Sequence, residues 1–435
     1  MNWFAVVFAE SFAIYRNFMP RIISKDTVMN GLGRIGGIAM LVSAAMLSHT
    51  AFAADPIKVG AINPYSGPMG QYGTEVTRGY ELAADQANAA GGVLGRKIEL
   101  IRGDAANPQQ GIATVEQLVN KDKVDLFVGT YISGVANAAS DTASRYNKLY
   151  WETNAMATEL TERGLPNFVR VGPYASSFAL GAVDTVRDLV APALKKDIKY
   201  LKVWIEHEDT IWGTSMAQSQ KRMLEALGAK VVGVGAHSFK SIDLNDTVLR
   251  AKKANPDVWT QAGYVPDTNL LLRTARDQGF KPAAMLLIGL GDTPETLESL
   301  GAPSLEGVLV VSYPRADVAE SYGPGAKAYL AAYRTKYKSD PIAPQGMTAF
   351  VGMQILFEAI KAAGSTDPEK VRAAAAKLDK PASSYATGYG VKFDKDFQNQ
   401  RAGPTTVQWQ SGKVVTVFPK KATSPGVTLK SLAGN

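Results

Sequence analysis

Ser133 is the residue whose type and position point most directly to chemistry. It follows the apolar run Val124–Gly129 and opens a stretch with helical spacing. Backbone N–H groups at a helix start lack partners and the dipole is positive there, so a serine at that point suits an anion. A plain helix cap uses the same residue, and the two roles are compatible. Other constellations carry less. Glu206-His207-Glu208-Asp209 is rich in metal-ligating types but lacks a second histidine at helical spacing. Asp394-Lys395-Asp396 resembles the opening of a calcium loop without its glycine and closing glutamate, so a turn fits better. Gly31-Leu32-Gly33-Arg34-Ile35-Gly36 has the spacing of a dinucleotide fingerprint. It does not sit between a strand and a helix, where a backbone can approach a pyrophosphate. The chain has no GxSxG elbow and no GK[ST] phosphate loop. With no cysteine and three histidines, thiolate nucleophiles, disulfides and cysteine-rich metal sites are excluded. No cofactor and no catalytic machinery are expected.

These residues sit in a chain of 435, 46% hydrophobic and 20% charged, which suggests two or three globular domains. The first stretch reads as an export signal. Arg34 gives a basic start, Ile35 to Leu47 an apolar run too short and too glycine-rich to span a membrane, and Ala51-Phe52-Ala53 a small-x-small cleavage pattern. Residues 1–53 are therefore expected to be removed, with Met29 the preferred start and export to the periplasm the implied destination. Removal leaves 43 Lys/Arg against 38 Asp/Glu, a balance of +5 without basic runs. That pattern suits a solvated mixed surface and gives no reason to expect nucleic acid as a partner.

Apolar, β-branched runs recur at Ile57–Ile62, Lys97–Ile101, Val124–Gly129, Lys148–Thr153, Tyr200–Ile205, Lys230–Gly235, Val258–Gly263, Met285–Gly289 and Gly307–Ser312. Runs of this kind suit parallel strands buried on both faces. Helical segments lie between them. Thr74–Ala90 stops at Gly91-Gly92, Asn107-Pro108 caps the next helix, and Asp267 is placed to cap Thr268–Gln278. Strand–helix alternation predicts α/β domains with right-handed crossovers. The last part differs, with short strands at Val391–Asp394, Thr405–Gln410 and Lys413–Phe418 and a hairpin turn at Ser411-Gly412.

An ordered set of short motifs resembles the leucine/isoleucine/valine-binding protein family, the type I solute-binding proteins of ABC importers. The set begins with Ile57-Lys58-Val59-Gly60 and Ser66-Gly67-Pro68-Met69-Gly70-Gln71-Tyr72-Gly73. It continues through Ala89-Ala90-Gly91-Gly92-Val93-Leu94-Gly95, Val128-Gly129 with Ser133, and Glu159-Leu160-Thr161 with Arg163-Gly164. Tyr264 and Glu306-Gly307 complete it, over about residues 55 to 420. The resemblance implies two doubly wound parallel-sheet lobes joined by three crossing strands, with ligand in the cleft between them. The expected division is 54–171 with 313–387 for lobe 1, 172–312 with 388–420 for lobe 2, and 421–435 as a tail. Crossings are placed near Val169–Pro173, Val308–Pro314 and Thr387–Gly390.

The resemblance also implies roles. Ser133 would hold a substrate carboxylate, and Tyr72 and Tyr264 would face the cleft from opposite lobes, unless they are ordinary core or surface tyrosines. Trp212 would line a side-chain pocket, or serve as packing. Asn154, Ala155 and Met156 fall where the family holds an ammonium with backbone carbonyls and a threonine, but the threonine position reads Met156. Glu152, just before, would replace that acceptor or stand in solvent at the strand end. The family's ammonium-neutralising glutamate aligns on Gly291, with Asp292 next to it; Asp292 would take the role or cap the helix at Thr293-Pro294. The expected function is a periplasmic receptor for a small amino acid of the branched-chain type, delivering it to ABC permease subunits. An aromatic acid or amide, or a sensing module without transport, are the alternatives.

Overall fold

The computed structural model describes residues 54–433. The export-signal reading and the 31–36 glycine motif lie outside the described residues. Five parallel strands form one sheet in the order β2-β1-β3-β4-β5: β1 (Ile57–Asn63), β2 (Ile98–Asp104), β3 (Leu126–Gly129), β4 (Tyr150–Glu152) and β5 (Phe168–Arg170). The central β3 is buried along its length, whereas the edge strand β2 is only partly buried. That contrast follows from cover on both faces at the centre and on fewer sides at the edge.

Seven strands form the second sheet in the order β14-β13-β10-β9-β8-β6-β7. β6 (Lys202–Glu208), β7 (Lys230–His237), β8 (Val258–Ala262), β9 (Ala284–Ile288) and β10 (Leu309–Ser312) are parallel. A short antiparallel pair, β11 (Asp379–Lys380) and β12 (Val391–Lys392), precedes the last two strands. β13 (Thr405–Gln410) and β14 (Lys413–Phe418) close the sheet antiparallel. Ser411 and Gly412 join them with φ of 52° and 74°, the doubly left-handed turn that matches strand twist. Trp204 and Trp259 pack on one face of this sheet, while Val203, Ile205 and Val258 pack on the other. The architecture is two-lobed α/β: the strand–helix rhythm predicts the α/β class, and the family resemblance implies the two lobes.

All nine predicted apolar runs overlap a strand. The helix expected from Thr74 begins earlier, spanning Gly70–Ala89. It packs against the Gln345–Ala363 helix, and a Cβ on Gly79 would lie 1.9 Å from the Gly346 carbonyl oxygen. Only a bare backbone permits that approach, and it fixes where Gln345 stands. The helix expected over Thr268–Gln278 spans Val265–Asp277. Asp267 therefore sits in its first turn and accepts from the Tyr264 N–H at 2.9 Å. Asn107 caps Pro108–Gln117 as expected, accepting from Gln110 N.

The chain passes between sheets three times. After β5 it enters the Ala175–Thr185 helix, which packs on β10 and β13. After β10 it returns to helices beside the first sheet. The third passage differs from the expected Thr387–Gly390. Phe397 and Asn399 still pair with Arg170, the last residue of β5, so the chain leaves the first sheet only between Asn399 and Thr405. Asn399 causes the delay, since its side chain donates to both Val171 O and Gly390 O.

Candidate functional site

The C-terminal ends of parallel strands are where a doubly wound fold leaves a crevice. In this chain both sheets point such ends at one small cavity. Tyr131 and Ser133 follow β3, Asn154 and Met156 follow β4, Trp212 follows β6, Gly263 and Tyr264 follow β8, Gly289 and Leu290 follow β9, and Tyr313 follows β10. Gln345 is the exception, at the start of its own helix. The cavity measures about 20 Å³, room for a single water molecule. Admitting a larger solute requires the two halves to part or Met156 and Trp212 to swing.

Ser133 is the first residue of the Ser133–Arg145 helix, with Ile132 at the cap position. Its hydroxyl oxygen accepts from Met156 N and Ala157 N, each at 3.1 Å. A hydroxyl has two lone pairs and one proton. With both lone pairs engaged, the proton is what Ser133 has left to offer. The first backbone hydrogen bond at this helix end runs from Ala136 N to Ile132 O. A donor-only hydroxyl beside a helix N-terminus is a seat for an anion.

The loop after β4 is held from behind. Glu152 has no exposed surface, and it accepts from Thr130 N, Thr130 Oγ1, Thr153 N, Asn154 N and Ala155 N. It is neither in solvent nor facing the cavity, which corrects both expected roles. Burial raises its pKa, and these donors oppose the rise. Arg170, also without exposure, donates to Ala155 O and Ala157 O. Burial lowers its pKa to about 10, which leaves it charged at neutral pH. Tyr313 Oη donates to Asn154 O, and Ala175 N to Met156 O. The loop carbonyls expected to face an ammonium each already accept a protein donor.

Asp292 does not line the cavity. Its Oδ2 accepts from Ser312 Oγ and Arg315 Nη1, both at 2.9 Å. Nor is it the helix cap, because Thr293 caps Pro294–Leu300 by accepting from Thr296 N. Tyr72 lies one layer out. Its ring stacks on Tyr131 with centroids 5.8 Å apart, and its hydroxyl donates to Glu295 at 2.7 Å. Burial first, then that carboxylate, push its phenol pKa up and keep it a donor. Tyr264 stands 6.3 Å from Tyr131 and meets the edge of Phe239. Ser133, Asn154, Met156, Trp212 and Tyr264 are thus brought together, whereas Tyr72, Ala155 and Asp292 are not on the wall.

The second lobe's wall is apolar and backbone. Gly289 has φ +87°, and a Cβ there would lie 3.1 Å from Trp212. Behind Tyr264, His237 bridges Glu206 and Asp267 at 3.0 Å each. Burial works against its protonated form, but the two carboxylates outweigh it and raise its pKa to about 9. Glu206 also accepts from Trp204 Nε1, and Glu208 accepts from Thr210 and Gly213 at the start of the Ile211–Ala226 helix. The acidic residues that resembled metal ligands serve these bonds. In the other weak constellation, Asp394 accepts from Asp396 N and Gln398 N and forms a turn.

Residues 56–413 match the family model described as periplasmic binding protein. The chain belongs to that family. It is 37% identical over 380 residues to Leu/Ile/Val-binding protein homolog 7 of Brucella suis biovar 1 (strain 1330), covering 87% of this chain and 95% of the relative. A leucine-binding protein from Thermotoga maritima MSB8 shares its fold at TM-score 0.72 and 21% identity, over 85% of this chain and 99% of the other. A solute-binding protein of an ABC transporter from Rhodopseudomonas palustris HaA2, in complex with p-hydroxybenzoic acid, does so at TM-score 0.70 and 23% identity, over 87% and 98%. The family is one of solute-binding receptors. Six wall residues were not among the expected site residues: Gly263, Gly289 and Leu290, which contribute backbone or apolar surface, and Tyr131, Tyr313 and Gln345. Tyr131 carries a findable signal, two residues before Ser133 and just past a strand. Tyr313 lies one residue past β10, within the predicted crossing. Gln345 follows no strand, and only the helix pairing at Gly79 brings it in.

Proposed function

We propose that the protein is exported, resides in the periplasm, and captures a small carboxylate-bearing solute between its lobes for an ABC permease. The observation that carries this is the donor-only hydroxyl of Ser133 at a helix start, opening on a cavity walled by both lobes. The first lobe supplies the hydrogen bonds and the second the apolar cover, so a solute seated on the first makes its remaining contacts only on closure. Contacts made only in the closed form are what shift the equilibrium toward it. The solute is held and released unaltered.

A branched-chain amino acid is the reading supported by the relatives' names. An aromatic acid is the second, supported by the p-hydroxybenzoate-bound neighbour and by a wall of Tyr131, Trp212, Tyr264 and Tyr313. Calorimetric titration of wild type and Ser133→Ala tests the site. The variant is expected to bind roughly 1–3 kcal/mol more weakly, about 5- to 150-fold. Unchanged affinity removes Ser133 from the site.

A further inference from the structure

A planar trans peptide carries its C=O and its N–H on opposite edges, so a partner on one edge aims the other. The three peptides from Asn154 to Ala157 are each held at both edges. In the first, Tyr313 Oη donates to Asn154 O at 2.6 Å and Ala155 N donates to Glu152 Oε1 at 2.8 Å. In the second, Arg170 Nη1 donates to Ala155 O at 3.2 Å and Met156 N donates to Ser133 Oγ at 3.1 Å. In the third, Ala175 N donates to Met156 O at 2.7 Å and Ala157 N donates to Ser133 Oγ at 3.1 Å. Ser133 is thus a pure donor only while this loop keeps its two N–H groups aimed at it.

Two buried charges hold that aim, and neither lines the cavity. Glu152 Oε1 accepts from Thr130 N as well as from Thr153 N, Asn154 N and Ala155 N, and its Oε2 accepts from Thr130 Oγ1. It therefore ties the stretch leading into the Ser133 helix to the loop that fills the Ser133 lone pairs. Arg170 Nη1 also reaches Ala157 O, while Nε and Nη2 donate to Gln398 Oε1 and Thr161 Oγ1. A guanidinium fixed through three nitrogens has one orientation, which a lysine ammonium does not reproduce.

What a donor-only Ser133 selects follows from valence. The first backbone bond of its helix starts at Ala136 N, so the N–H groups before it lie outside the ladder. A carboxylate offers acceptors alone and suits both the hydroxyl and those N–H groups. A carboxamide offers an acceptor on one side and a donor on the other, and its NH2 would face a donor. With the loop displaced, the hydroxyl recovers its lone pairs and can accept from that NH2.

Resting on the reading of this cavity as a seat for a solute carboxylate, we infer that Glu152 and Arg170 are positioning residues that set its selectivity for carboxylate over carboxamide without touching the solute. They act through the bonds that aim the loop rather than through their charge.

The test is calorimetric titration of the chain from Ala54 onward with two acid–amide pairs, L-leucine with L-leucinamide and benzoate with benzamide. The quantity read is the acid-to-amide affinity ratio of the pair whose acid binds wild type more tightly. A ratio on one variant is insensitive to a general loss of folded protein. Glu152→Gln and Glu152→Ala remove the same negative charge, so electrostatics alone would raise the ratio in both. Positioning separates them. Glu152→Gln, whose amide oxygen still accepts, is expected to keep or raise the ratio, and Glu152→Ala to lower it about 3- to 10-fold. Arg170→Lys keeps the charge, loses the fork, and is expected to lower the ratio to a similar extent. Thr130→Val removes one bond to Glu152 and no charge; it is expected to lower the ratio about 2-fold and carries the test if Glu152→Ala does not fold. Equal shifts in the two Glu152 variants, or a ratio that Arg170→Lys and Thr130→Val leave unchanged, overturn the inference and leave the receptor reading standing. Neither acid binding wild type, an amide binding as tightly as its acid, or a ratio indifferent to Ser133→Ala overturns the carboxylate seat together with the inference.

Discussion

His237 is the residue whose charge state matters most to the second lobe. It lies between Glu206 and Asp267, and Asp267 also holds the Tyr264 amide on the cavity wall. Its folded pKa of about 9 exceeds the ordinary value of about 6.5. The stabilisation it brings is therefore fully present below pH about 6.5 and is lost as pH rises through about 9. Thermal melts are expected to fall between pH 7 and 10 in wild type, and this part of the fall should vanish in His237→Phe. That variant leaves two buried carboxylates without a counter-charge and should cost about 3–5 kcal/mol at neutral pH by denaturant titration. Ser133 was legible from its place after a strand. The orientation of its hydroxyl was not, because the two amides that fill its lone pairs come from residues 156 and 157, over twenty positions away. For Asp292 the deciding partners, Ser312 and Arg315, lie on another strand and the passage after it. A sequence shows a carboxylate but not what already occupies it.

Helices place the polar wall, and their ends are its weak points. The Pro108–Gln117 helix packs on the Ser133–Arg145 helix, whose start carries the anion seat. Asn107 accepts from Gln110 N at 3.0 Å, so Asn107→Ala should cost about 0.5–2 kcal/mol in denaturant unfolding. Periodicity marked the strands well because parallel strands are apolar on both faces. It failed where long-range bonds set a boundary. β5 is three residues long and was anticipated only as a crossing, and residues 397–399 stay beside it through bonds to Arg170. The Val265–Asp277 helix begins before its most obvious capping residue because Asp267 acts from inside the first turn.

Across the whole molecule, Glu295 on one lobe accepts from Tyr72 Oη and Gln71 Nε2 on the other. This bond is made only while the lobes are together. Glu295→Ala is expected to enlarge the solute-free radius of gyration by X-ray scattering and to speed solute dissociation in stopped flow. Unchanged scattering and unchanged release would assign the contact no part in closure. The lobed fold was legible because alternation and motif order extend through the chain; the pairing of Gln345 with the cavity was not, because a close contact between two glycines leaves no periodic trace.

The narrow cavity, with room for one water, also has a consequence for timing. If a solute enters only after the halves part or Met156 and Trp212 swing aside, its observed association rate should flatten at high solute concentration at the rate of that opening. More solute beyond that point would fill the site no faster.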